Sequence, residues 1–80
     1  MKHDEIAPLI EKLTTAVESY IPPGKDPEVH ALLSAVISAF SNSDEKAILQ
    51  ATCQLENHAL FRYAPVVELA GELRRKLEAR

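Results

Sequence analysis

Apolar residues recur at helical spacing in four successive segments of the chain, and proline, glycine or short polar runs separate these segments. A spacing of three and four residues is that of a helix with one face buried against its neighbours. It predicts helices at residues 4–20, 27–40, 44–58 and 65–79. Short connections place consecutive helices side by side in opposite directions. The sequence therefore predicts an all-α fold, a small antiparallel helical bundle of four helices.

The second predicted helix contains the longest apolar stretch, ALLSAVISAF at residues 31–40. Apolar positions cover more than half of its circumference, which is typical of a helix that is enclosed on all sides. It cannot span a membrane, because a span needs about 20 apolar residues and acidic side chains flank this stretch closely. The pattern predicts that this helix is the central, most enclosed element of the bundle.

Local signals mark the first connection of the chain. Pro22 and Pro23 cannot continue a helical hydrogen-bond ladder, so the first helix ends before them. Pro23 and Gly24 suit the central positions of a type II turn. Asp26 followed by Pro27 is a typical N-cap and first residue of a helix. The second helix is therefore predicted to begin at Pro27.

The later boundaries are marked less sharply. Asn42 or Ser43 is the expected cap of the third helix, with Asp44 in its first turn. Pro65 suits the first turn of a fourth helix, although Tyr63 is a poor capping residue. One long helix that is kinked at Pro65 is the alternative. A break between the third and fourth helices is the prediction.

Length, charge and cysteine content limit the class of protein. The 80 residues, 46% of them hydrophobic, are expected to form a single helical domain over 1–80 with one core. A net charge of −3 argues against a surface that as a whole matches nucleic acid or anionic lipid. Cys53 is the only cysteine, and residues 1–5 contain no apolar signal segment. We expect a cytoplasmic protein.

Candidate metal ligands and catalytic groups are few. Cys53 and His58 are five residues apart and do not share a helix face, and neither forms a zinc-site spacing with His30. Most carboxylates lie at predicted helix starts, where capping and the helix dipole account for them. Neither phosphate-binding glycine motif occurs. The expectation is a protein that is not an enzyme, with no catalytic residue, metal or cofactor.

The width of the apolar stripes indicates a function. Four stripes of this width are more than so small a core needs, so part of them is expected to contact another protein or a second copy of the chain. This predicts a non-enzymatic protein–protein interaction module, a small helical adaptor, chaperone or regulator, that forms a homodimer. The candidate interface residues are Ile6, Ile10, Leu13, Val17, Tyr20 and Val67.

The last predicted helix provides the alternative function. Residues 61–80 carry five basic and three acidic side chains, whereas residues 1–60 carry four and nine. Arg74, Arg75 and Lys76 are the candidate contacts to nucleic-acid phosphates. Positive charge near a helix C-terminus also complements the helix dipole. We expect a mainly structural, solvent-facing role for this helix, and a nucleic-acid-associated regulator is the alternative to the interaction module.

Overall fold

The computed structural model describes residues 3–22 and 24–79, with only the backbone of His3. Its four helices are α1 (His3–Tyr20), α2 (Pro27–Ser41), α3 (Glu45–Ala59) and α4 (Ala64–Glu78). The described residues contain no strand. The predicted all-α fold of four helices is confirmed, and each predicted helix end lies within one residue of the observed one. None of these four helices has the length and apolar content that a membrane crossing requires.

The helices form a ring in which each one packs on two neighbours. α1 lies between α2 and α4, and α3 lies between α4 and α2 on the opposite side. Asp26 at the start of α2 contacts His58 near the end of α3, so these two helices run antiparallel. The bundle therefore has an Asp26 end, which includes residues 20–22, 24–28 and 58–65, and an Asp44 end, which includes residues 41–45.

All four helices contribute side chains to one core. The largest fully buried side chains are Ile6, Leu13, Ile21, Ile48, Leu55 and Leu73. Each buried side chain of this kind stabilises the fold by about 1.5–3 kcal/mol relative to an exposed one. The regular three- and four-residue spacing in the sequence is what brings these side chains onto the inner faces of the helices.

α2 is not the central helix, and that prediction is wrong. The buried residues of α2 are Val29, Leu33, Val36 and Ala39. Ala31, Ala35 and Ile37 lie on its exposed side. Alanine adds little apolar surface, and serines share this outer side of the helix, so a stretch that reads as apolar in sequence is tolerated next to water. A ring of four helices also leaves every helix with an outer face.

The helix starts are set by two aspartates. Asp26 caps α2, because its side chain accepts a hydrogen bond from the Val29 N–H at 3.2 Å. Asp44 caps α3 in the same way through the Ala47 N–H at 3.1 Å. The prediction of Asn42 or Ser43 as this cap is wrong. Ser43 has a φ of 54° and belongs to the turn that ends α2, so Asp44 is the residue in the extended conformation that a cap needs.

The two connections at the Asp26 end are a turn after α1 and a break between α3 and α4. The Lys25 N–H donates to the Pro22 carbonyl at 2.9 Å, which closes the turn. The predicted type II turn has Pro23 as one of its two central residues, and Pro23 lies outside the described residues. The predicted break between α3 and α4 is confirmed, and α4 begins at Ala64 without a side-chain cap from Tyr63.

Candidate functional site

The carboxylate of Asp26 joins three parts of the chain. Its Oδ2 atom accepts a hydrogen bond from the Tyr63 hydroxyl at 2.9 Å and one from His58 Nε2 at 3.0 Å. The same side chain caps α2 through the Val29 N–H. The side chains of Asp26 and His58 are each only 13% exposed. These bonds connect the start of α2 with the end of α3 and with the residue that precedes α4.

The ring of His58 lies between two carboxylates. Its Nε2 atom faces Asp26, and its Nδ1 atom lies 2.6 Å from Glu28 Oε2. A histidine ring donates from both nitrogens only when it carries both protons. The Glu28 side chain is 68% exposed, so water weakens its interaction with His58. We refer to Asp26, Glu28, His58 and Tyr63 as the Asp26 cluster.

Hydrogen bonding within the Asp26 cluster fixes the protonation of two of its members. The bond from His58 has the largest effect on Asp26, and with the bonds from Tyr63 and Val29 it outweighs burial and lowers the pKa of the Asp26 carboxyl from 3.8 to about 2. The bond to Asp26 raises the pKa of the Tyr63 hydroxyl. A carboxylate with so low a pKa is a weak base at neutral pH. The cluster is therefore suited to holding the helix ends together.

The turn between α3 and α4 carries the most exposed apolar side chain of the described chain. Phe61 is 98% exposed, and Leu60 beside it is 43% exposed. Phe61 has a φ of 67°, in the left-handed region. The N–H groups of Arg62 and Tyr63 both donate to the Ala59 carbonyl at 2.9 Å. We call residues 60–62 the Phe61 turn; the Asp26 carboxylate binds the residues on both sides of it.

Most of the candidate interface residues lie inside the chain's own core. Four of them are at most 7% exposed, namely Ile6, Ile10, Leu13 and Val17. An exposed seam along α1 is therefore not present, because α1 uses this stripe to pack on α2 and α4. Tyr20 is 61% exposed at the Asp26 end, and Val67 is partly buried. Of these six candidates, a partner can reach only Tyr20 and part of Val67 without opening the bundle.

The three basic candidates on α4 do not form one free patch. Arg74 Nε donates to Glu56 Oε1 and Arg74 Nη1 donates to Glu78 Oε1, each at 2.8 Å. The bond to Glu56 is the main reason that the pKa of Arg74 is raised. A Cβ atom at Gly71 would lie 3.0 Å from Glu56 Oε2, so this glycine leaves space for the Glu56 carboxylate. Arg75 and Lys76 are exposed.

The candidate metal ligands remain apart. His30 Nε2 lies 2.8 Å from the Ile21 carbonyl oxygen, which links α2 to the residue after α1. Cys53 is half-buried in α3. Within residues 3–22 and 24–79, no group of three or more histidine, cysteine, aspartate or glutamate residues is arranged to hold a metal ion. The absence of a metal or cofactor requirement stays a prediction.

In the sequence, Asp26, His58 and Tyr63 were considered for other reasons, and Phe61 was not singled out. His58 is 32 residues from Asp26 and Tyr63 is 37 residues from it, so no local pattern joins them. A signal for the turn was present, since two aromatic residues flank Arg62 between two predicted helices. The chain matches no protein-family model, no curated protein and no solved structure. Its function is therefore argued from the geometry of this end of the bundle.

Proposed function

We propose that the chain is a non-enzymatic protein–protein interaction module and that the Phe61 turn is the centre of its contact surface. The observation that carries the proposal is the state of Phe61, which is 98% exposed with a φ of 67°. Aromatic side chains are enriched among the residues that dominate binding at protein interfaces. Tyr20 is a second exposed aromatic side chain at the same end of the bundle.

The conformation of Phe61 is unfavourable for the isolated chain. The left-handed conformation costs a residue with a side chain roughly 1–2 kcal/mol, and glycine is the usual residue at this position after a helix. An exposed phenylalanine also forgoes the roughly 1.5–3 kcal/mol that burial of its ring would contribute. The exposed Phe61 side chain makes no contribution to the stability of the fold that would offset the left-handed conformation and the exposure of its ring. A role in contact with a partner accounts for it.

The Asp26 cluster prepares the turn for binding. His58 precedes the turn and Tyr63 follows it, and both donate to the same carboxylate. A turn held at both ends loses less conformational entropy when it binds, and this raises affinity without any new contact. The low pKa of Asp26 keeps the carboxylate charged at neutral pH, so it is able to accept both hydrogen bonds.

The remaining features support the same function over its alternative. Arg74, one of the three nucleic-acid candidates, already has two carboxylate partners. Binding phosphate through this residue would require it to give up those bonds. We propose that the partner is another protein or a second copy of the chain in the cytoplasm, and that a homodimer is one form of this interaction.

Site-specific crosslinking in the native host tests the proposal. A photoreactive benzoyl-phenylalanine is placed at Phe61 in one strain and at Ile37 in another. Ile37 is the matched control, because it is an exposed apolar residue on the outer face of α2. We expect a discrete protein adduct from position 61 that is absent at position 37. Identical adducts at both positions, or none at position 61, would contradict the proposal.

A further inference from the structure

We propose that the Phe61 turn of one chain docks into a pocket on the outer face of α4 of a second chain, forming a two-fold symmetric dimer. This inference rests on the proposed function and names the partner. It uses two surfaces that are adjacent in the sequence, the turn at residues 60–62 and the α4 pocket at residues 65–75. A closed pairing of identical surfaces is the commonest way in which a single chain forms a dimer.

The α4 pocket has the size and the chemistry to receive Phe61 and Arg62. Its volume is about 290 Å³, and an apolar cavity of roughly 150 Å³ is enough to bind a benzene ring. The residues that line it are Pro65, Glu68, Leu69, Glu72 and Arg75. The proline and leucine offer apolar contact to an aromatic ring. The two glutamates outnumber the one arginine, so the rim carries a net negative charge.

The charges of the turn and the rim are complementary. Arg62 is exposed, and it forms no ion pair with any residue that the structure describes. Glu68 is exposed on the pocket rim and also lacks an ion pair within the described chain. In the dimer, Arg62 would thus meet the acidic rim, and the neighbouring Phe61 would meet the apolar part of the pocket, Pro65 and Leu69. Such complementarity selects the partner and fixes the register of an interface.

The turn and the pocket adjoin in the chain, and this allows the contact to form twice. The turn ends at Arg62, and the pocket begins at Pro65, three residues later. When a two-fold axis passes between these two surfaces, the turn of each chain lies against the pocket of the other. In this arrangement Arg62 approaches Glu68, the glutamate of the rim that is nearer to the turn in the sequence.

A second pocket, on α1, fits the turn less well. It is larger, at about 520 Å³, and it lies along the outer face of α1 between Pro8 and Tyr20. Its charged residues are Glu11 and Lys12, which carry opposite signs and give Arg62 no net attraction. Docking there is treated as an outcome that would overturn the proposal.

A charge exchange tests the proposed dimer with the purified 80-residue chain. Sedimentation equilibrium of the wild type should show a species of twice the 8.9 kDa chain mass. Arg62→Glu and Glu68→Arg should each raise the dimer Kd about 10-fold or more, because like charges then face each other twice. An equimolar mixture of these two variants should recover dimer, since each chain then presents the sign that the other lacks.

A second pair of variants separates docking from folding. Phe61→Ala should raise the dimer Kd about 10-fold or more and leave helicity unchanged, because the side chain is 98% exposed in the single chain. Ile37→Ala, on the opposite outer surface, should leave the dimer Kd within about twofold of wild type. These two results together would place the contact at the Phe61 turn.

Three outcomes would overturn the inference. One is a wild-type chain that stays monomeric up to about 1 mM. Another is a dimer that is indifferent to both charge reversals, or whose mixed variants fail to associate. The third is a dimer that Lys12→Glu disrupts and Arg62→Glu does not, which would place the contact on α1. A monomer that still forms a crosslink from position 61 to a different protein would retain the proposed function and remove only this inference.

Discussion

Asp26 and Asp44 have the same local role at opposite ends of the bundle and differ in everything else. Each caps the following helix through the N–H three residues later, at 3.2 and 3.1 Å. The Asp26 side chain is largely buried and also binds His58 and Tyr63, whereas the side chain of the exposed Asp44 has no hydrogen bond to another helix within the described chain. An N-cap can therefore act only on the start of its own helix, or it can also be the centre of a tertiary contact. The residue type alone does not distinguish the two.

The two ends also differ in the type of residue that adopts a positive φ. Ser43 at the Asp44 end and Phe61 at the Asp26 end are the two non-glycine residues of the described chain with this conformation. Serine is small and polar, so its place in an exposed turn needs no special account. Phenylalanine is neither small nor polar. This difference is the reason that we propose a role in binding for the Phe61 turn and none for the turn at Ser43.

The largest expected difference between the ends comes from removing the two caps. Asp26→Ala should lower the free energy of unfolding by about 3 kcal/mol, because it removes a cap and leaves two partly buried donors without their acceptor. Asp44→Ala should lower it by about 1 kcal/mol, the usual contribution of an N-cap. Urea unfolding of both variants measures the two losses. Equal losses would contradict the distinction between the ends.

Acid should remove a stabilising contribution that depends on Asp26. The pKa of this carboxyl is about 2 in the folded chain against an ordinary value of 3.8, so its contribution is complete above pH 3.8 and is lost as the pH falls towards 2. A shift of this size corresponds to on the order of 2 kcal/mol. Unfolding free energies of wild type and Asp26→Asn should therefore converge between these pH values. A constant difference down to pH 2 would refute this assignment.

Smaller effects should come from the donors of the Asp26 cluster. His58→Gln and Tyr63→Phe should each lower the free energy of unfolding by about 1 kcal/mol, the usual net value of one hydrogen bond. Their effects should not add in the double variant, because both donate to one carboxylate. Glu28→Gln should have a smaller effect, since this side chain is 68% exposed. Strict additivity in a double-mutant cycle would show that the two donors act independently.

The smallest predicted effect has the opposite sign. Phe61→Gly should raise the free energy of unfolding by about 0.5 kcal/mol, since relief of the left-handed strain slightly exceeds the added flexibility of the unfolded chain. The exposed ring contributes no packing that would be lost. Differential scanning calorimetry compares this variant with Ser43→Gly, its counterpart at the other end. A clear destabilisation by Phe61→Gly would show that the ring supports the fold.

Local signals predicted the helices and their ends almost completely. The Asp26–Pro27 pair and the two prolines at 22 and 23 act on the backbone within a few residues, so the sequence alone reveals their effect. The cap of α3 was predicted at Asn42 or Ser43 and lies at Asp44, because the three consecutive residues at 42–44 are all good caps. Only the turn geometry at Ser43 selects Asp44 among them.

Properties that depend on tertiary packing could not be predicted in the same way. The stripe along α1 correctly indicated a buried face, but the sequence does not say whether the burial is within one chain or against a partner. Similarly, α2 looks enclosed because alanine counts as apolar although it tolerates exposure. The Asp26 cluster and the exposed Phe61 turn depend on the approach of two connections that are more than 30 residues apart.

Amide hydrogen exchange tests the central claim that the Asp26 cluster holds the Phe61 turn. The amides to follow are those of Arg62 and Tyr63, which donate to the Ala59 carbonyl, with the buried Leu55 as the internal reference. The account predicts that Asp26→Asn lowers the protection of both turn amides about 10-fold or more relative to Leu55, and that Asp44→Asn leaves this ratio unchanged. An unchanged ratio in Asp26→Asn would show that the turn is held by other contacts.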